Sequence, residues 1–125
     1  MDFEGALRAR LLVAAPRTYW VDRPQASQLP AVVLQKIGGN RDQHLKGFND
    51  LRPARVQVEA WGKSFSEARS LLEASIAAAV PEETSNGVIF NRAIVDGEPR
   101  TLGERTETMF IHRHVVDLIF WWQAA

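Results

Sequence analysis

The chain has 125 residues, 46% hydrophobic and 24% charged, and its fifteen basic and fifteen acidic side chains cancel to a formal net charge of zero. These values fit one globular domain over residues 1–125 and exclude a protein that grips nucleic acid by bulk positive charge. The absence of cysteine excludes a disulfide framework, a thiolate nucleophile and a Cys-ligated zinc site.

The first residues, Met1-Asp2-Phe3-Glu4, are acidic where a secretory signal is positive. The longest apolar stretch, near Val115 to Trp122, is interrupted by Asp117 and is too short for a membrane-spanning helix. The expectation is a soluble product of the cytoplasm with no membrane partner. Residues 2–15 read as a helix: Asp2 can cap it, Phe3, Ala6 or Leu7, Leu11 and Ala14 recur at helical spacing, and Pro16 ends it. Thr18 to Val21 is a short β-prone run. After a polar loop, Ala31 to Ile37 reads as a strand ended by Gly38-Gly39-Asn40. Residues 41–52 form a long polar connection, of the kind that more often serves function than not.

Pro53 to Gly62 carries the clearest period of two. Ala54, Val56, Val58 and Ala60 point one way, and Arg55, Gln57, Glu59 and Trp61 the other. Ser64-Phe65-Ser66-Glu67 has capping-box spacing and opens a helix to about Ala79, with Phe65, Ala68, Leu72, Ile76 and Ala79 as its buried stripe and Pro81 as its stop. Glu82 to Asn86 reads as a polar turn whose end Asn86-Gly87 marks, and it precedes a strand from Val88 to Val95. Residues 98–108 read as a second long, charged connection, and a final strand runs from about Phe110 to Trp122. This order predicts an α+β fold: a mainly antiparallel sheet of about four strands with two helices packed on one face.

No residue pattern calls for catalysis. Ser64 is a helix cap, since no Gly-x-Ser-x-Gly elbow exists. Gly38-Gly39-Asn40-Arg41 lacks the spacing and lysine of a phosphate loop. His112 and His114 share one strand face, but no third ligand stands nearby, so they read as ordinary strand histidines. Asp117 reads as solvent-facing or paired with Arg113 or Arg55 across the sheet. The expectation is no enzyme, no metal and no cofactor. Four tryptophans are more informative. Adjacent Trp121 and Trp122 must face opposite sides of a strand. This leaves Trp121, with Trp61, as candidate contacts on an exposed sheet face, where tryptophan and arginine favour protein partners.

Tyr19 to Gln25, Leu29 to Ile37, and Ala54 to Gly62 followed by Ser64 to Leu72 are three stretches that together resemble the phage tail-completion family, which is also found in prophages and gene-transfer agents. In that family a proline-led strand, an Arg-x-Gln-Val strand ending in Trp and an Ala-rich helix come in this order, and a C-terminal strand ending in Trp also fits. The resemblance implies a structural subunit of the virion, assembled in the host bacterial cytoplasm. It would form a homo-oligomeric ring, usually hexameric, that caps the head-proximal end of the tail tube. Its partners would be the major tail tube protein and head-side connector proteins, with DNA only as cargo passing through the lumen. The two long connections supply the candidate ring and tube contacts: Arg41, Asp42, His44, Lys46, Phe48 and Asp50, then Glu98, Arg100, Glu104 and Arg105. A head-closure or connector protein is the alternative, followed by a small oligomeric enzyme or ligand-binding module.

Overall fold

The structure is a computed structural model, and it describes residues 2–21, 28–38, 43–44, 47–48, 51–105 and 109–125. Helix α1 (Phe3–Leu12) is capped by Asp2, whose Oδ1 accepts from the Gly5 amide at 2.8 Å. Its turns bury Phe3, Ala6, Leu7, Arg10 and Leu11. Pro16 lies beyond its end, and β1 (Thr18–Trp20) then runs parallel to β2 (Ala31–Gly38), with Thr18 opposite Val32. A two-residue ladder, β3 (Gln43–His44) with β4 (Gly47–Phe48), lies within the first long connection.

Strand β5 (Arg52–Gly62) pairs antiparallel with β2 on one edge. Its inward residues, Ala54, Val56, Val58 and Ala60, are completely buried. Gly62 ends the strand where an added Cβ would lie 2.7 Å from the Ala68 amide nitrogen, so only glycine lets α2 (Phe65–Ala79) come this close. Ser64 caps α2, accepting from the Glu67 amide at 3.1 Å. The Glu67 carboxylate reaches back one residue further than the expected Ser64 amide and accepts from that of Lys63 at 2.8 Å. The buried face of α2 is Ala68, Leu72, Ser75 and Ala79. Ser75 is accommodated there because its hydroxyl donates to the Leu71 carbonyl at 2.8 Å. Phe65, expected inside, is 46% exposed.

Strands β6 (Glu83–Ser85) and β7 (Val88–Phe90) form a tight hairpin through Asn86 and Gly87, both at positive φ, the pairing that matches strand twist. Strands β8 (Ile94–Arg105) and β9 (Phe110–Ala124) complete the sheet. Strand β9 pairs with β5 from His112 opposite Gly62 to Trp122 opposite Arg52. Its other edge carries β8 and then β7 in series.

The expected four-stranded, mainly antiparallel α+β sheet is therefore corrected. Seven strands form one curled, mixed half-barrel sheet, in the order β1-β2-β5-β9-β7-β6 with β8 also on β9, and the chain is mostly β. Three features hid this. Strand β1 lacks the length for a periodic signal. The Val88 to Val95 stretch is two strands, broken at residues 91–93. Strand β8, with Gly97, Pro99 and Gly103, has a turn-like sequence and takes its conformation from the β9 edge.

One core joins both helices to the sheet. Phe3 sits at its aromatic centre, with ring centroids 5.7 Å from Phe90, 5.8 Å from Phe120 and 5.1 Å from Trp122. Arg10 locks the helices together. Its buried guanidinium donates through NH2 to the carbonyls of Ala78 at 3.0 Å and Pro81 at 2.7 Å, at the negative end of the α2 dipole, and Glu83 lies 2.6 Å from Nε. Burial lowers the Arg10 pKa while Glu83 opposes that shift. Replacing Arg10 with Ala strands both carbonyls, and we expect a loss of about 2–3 kcal/mol in urea denaturation. A change below about 0.5 kcal/mol, the range of a neutral surface substitution, would remove Arg10 from this role.

Candidate assembly surface

All twelve residues of β8 are exposed. Among the described residues only β9 pairs with it, so the outer edge of β8 carries free backbone donors and acceptors. Pairing with β9 slips between Asp96 and Arg100, where Gly97 takes φ 83°, so residues 97–99 bulge from the ladder. Beyond the bulge, Arg100 to Arg105 runs in unbroken register opposite Val115 to Phe110. The sequence-predicted contacts Glu98, Arg100, Glu104 and Arg105 thus stand on a strand, and not on a loop. Exposed apolar side chains lie among them: Ile94 at 53%, Val95 at 39% and Leu102 at 44%. Sequence reasoning passed over these three as contacts: Ile94 and Val95 read as the end of the Val88 to Val95 strand, and Leu102 stands alone between Thr101 and Gly103. Phe110, 40% exposed, lies across Gly103, where an added Cβ would run into its ring, and the Arg105 guanidinium sits 5.7 Å from the ring centre.

The other candidates are distributed differently. Arg41, Asp42, Lys46 and Asp50 lie outside the described residues. His44 and Phe48 lie on the β3–β4 ladder, and their side chains fall outside the description. Trp61 and Trp121 are both partly buried. Trp61 stands opposite Arg113 and Trp121 opposite Pro53, eight residues apart along β9, or roughly 26 Å at strand spacing. The fold does not bring them together.

The sheet face away from the helices, expected to be exposed around Trp61 and Trp121, is not a bare patch. Val115 is 1% exposed, and ion pairs occupy the face. Glu59, nearly buried, pairs with Arg113, whose guanidinium also covers the Trp61 ring at 4.7 Å. Arg55 bonds Asp96 and, at 3.1 Å, Asp117, so Asp117 finds one of its two predicted partners. The hydrogen bond to Asp96 is the main cause raising the Arg55 pKa. These contacts tie β5, β9 and β8 together and fix the attitude of the exposed strand.

On the helix side, His112 and His114 each meet a phenylalanine edge-on: Phe110 at 4.9 Å and Phe65 at 4.6 Å. Burial, then repulsion from Arg69 and His112, holds the His114 imidazole below its ordinary 6.5.

The family model described as tail completion protein gp17 matches residues 5–116. No curated protein sequence matches the chain. A chain of a solved structure described as the virion of a native gene transfer agent (GTA) particle is similar in fold. It has a TM-score of 0.57 and 11% sequence identity, over 98% of this chain and 93% of that chain.

The depressed His114 pKa carries a pH dependence. The unfolded chain takes up this proton near pH 6.5 and the folded chain only at lower pH, so the contribution is complete above pH 6.5 and is lost as pH falls from there through the folded pKa. We expect the urea midpoint to drop between pH 7.5 and 5.5, and to drop less in a His114→Asn variant. Parallel declines in both proteins would contradict this.

Proposed function

Because the chain belongs to the tail completion protein gp17 family, a family of structural tail proteins of the virion, we propose that it caps the head-proximal end of a phage-type tail tube as a homohexameric ring. The ring ends tube polymerisation and presents a docking surface to the head-side connector proteins. The observation that carries this reading is the outer edge of β8. A twelve-residue exposed strand with an open edge and three exposed apolar side chains invites edge pairing unless a partner covers it. A neighbouring copy is that partner in this proposal. Contacts between two different surfaces of identical subunits close into a ring when the rotation closes.

Family membership supports the tail location, and the fold shared with a chain of a gene transfer agent particle agrees with it. The sixfold count follows the sequence resemblance. Glu98, Arg100, Glu104 and Arg105 serve as ring contacts, with alternating charge setting the register between copies. Arg41, Asp42, His44, Lys46, Phe48 and Asp50 serve the ring or the tube, and Trp61 and Trp121 anchor contacts at opposite ends of the sheet. The major tail tube protein binds one face of the ring. The other face cannot accept a further tube ring, and growth stops. DNA passes through the lumen as cargo, and a net charge of zero suits that passage because strong phosphate binding would slow it.

Electron microscopy of particles from a strain lacking the gene tests the reading: overlong tubes without heads are expected. Normal-length tails beside detached, filled heads would assign the protein to head joining, and intact particles would overturn the tail role. The ring contact is tested separately. Arg100→Glu with Arg105→Glu is expected to leave the unfolding midpoint unchanged and to shift the purified protein from ring to monomer by native mass spectrometry. A ring that persists would move the contact away from β8.

A further inference from the structure

A cavity of about 270 Å3 opens between the start of α2 and the 97–99 bulge of β8. Its apolar walls are Phe65 and Leu72 from the helix and Pro99 from the bulge, with His114 of β9 between them. Pockets for drug-sized ligands run upward from roughly 300 Å3, so this one suits a single side chain. His114 is 4% exposed, and its Nε2 has no hydrogen-bond partner among the described residues. A buried nitrogen left in that state is unfavourable, because it has given up water without gaining a partner. No contact that holds the sheet together uses it.

The charges around the cavity are mixed. Arg69 Nε lies 3.3 Å from Glu73 Oε1, so these two already satisfy one another, and Glu98 adds a carboxylate on the bulge. A cationic occupant would meet Arg69, and an anionic one would meet Glu73 and Glu98. An uncharged ring avoids both. Tyrosine and tryptophan combine such a ring with one donor that seeks a partner when buried.

We propose that this cavity is a socket for one aromatic side chain of a partner protein, a tyrosine or tryptophan, whose ring lies against Phe65, Leu72 and Pro99 and whose O–H or indole N–H donates to His114 Nε2. The neutral imidazole, with its proton on Nδ1, offers Nε2 as the acceptor. Phe65 is 46% exposed and stands edge-on to His114, so it is the ring that shifts to admit the occupant. The proposal does not rest on ring formation, because the socket belongs to a single copy of the chain.

The test titrates the full chain with p-cresol, the tyrosine side-chain analogue, and follows the His114 imidazole and the Phe65 and Thr101 amides by NMR. Saturable shifts at these three residues are expected, with affinity roughly two- to tenfold above that of toluene, the ratio that one net hydrogen bond supplies. Equal binding of toluene would overturn the role of His114. Tighter binding of acetate or guanidinium would overturn the uncharged occupant, and no saturable shift at the cavity would overturn the socket itself. Thr101, exposed and paired with His114 in register, allows a block. Thr101→Trp is expected to abolish the p-cresol shifts, and their survival would count against the site.

Discussion

Strand β9 is hydrogen-bonded along both edges, and the rest of the fold hangs on that fact. One edge carries β5 through eleven opposed residues, and the other carries β8 and β7 in series. Alternation then sorts its side chains. Val116, Leu118 and Phe120 enter the core under the helices, while Arg113 and Asp117 face the ion pairs on the far side. A one-residue slip would exchange these sets, placing charges under α1 and α2 and apolar groups among the arginines. The register is therefore enforced from both faces at once. Gly62 and Arg10 then set how closely the helices close over it, the first by making room and the second by satisfying the carbonyl end of α2.

The two sheet faces do different work. The helix side is held by apolar burial, each buried Phe or Leu contributing about 1.5–3 kcal/mol. The far side combines a small apolar cluster of Leu29, Ala31 and Ile111 with the ion pairs Glu59–Arg113 and Arg55 between Asp96 and Asp117. Ion pairs as exposed as Arg55–Asp96 add little net stability. Their geometric effect is larger, because they join β5 to β9 and to β8 and so orient a strand that has no packing layer of its own. An exposed strand held this way is suited to assembly, since it offers backbone groups and mixed charge without requiring the domain to rearrange. The chain's zero net charge thus conceals a strongly local pattern along β8, where Glu98, Arg100, Glu104 and Arg105 sit among exposed aliphatic groups.

Both helix caps, the β5 alternation, the turn ending at Asn86-Gly87 and the final strand were legible in the amino-acid sequence, because each rests on local rules of capping, period and turn geometry. So was the family, through the order of its strand and helix motifs. The sequence also determined that Trp121 and Trp122 part to opposite faces. Only the tertiary structure decided what could not be local. Strand β8 exists because β9 offers it an edge, and its glycines, proline and charges would otherwise read as a connection. The parallel pairing of β1 with β2 depends on a neighbour distant in sequence. Phe65, in the first turn of α2, lies at the margin of the buried face of Ala68, Leu72, Ser75 and Ala79, and its ring lies against His114. The far sheet face is closed by arginine–carboxylate pairs between strands that the sequence separates by up to sixty-two residues, so no window along the chain contains both partners. Local chemistry thus set the elements, while edge pairing and cross-sheet charge, which act between distant segments, set the sheet and the surface it presents.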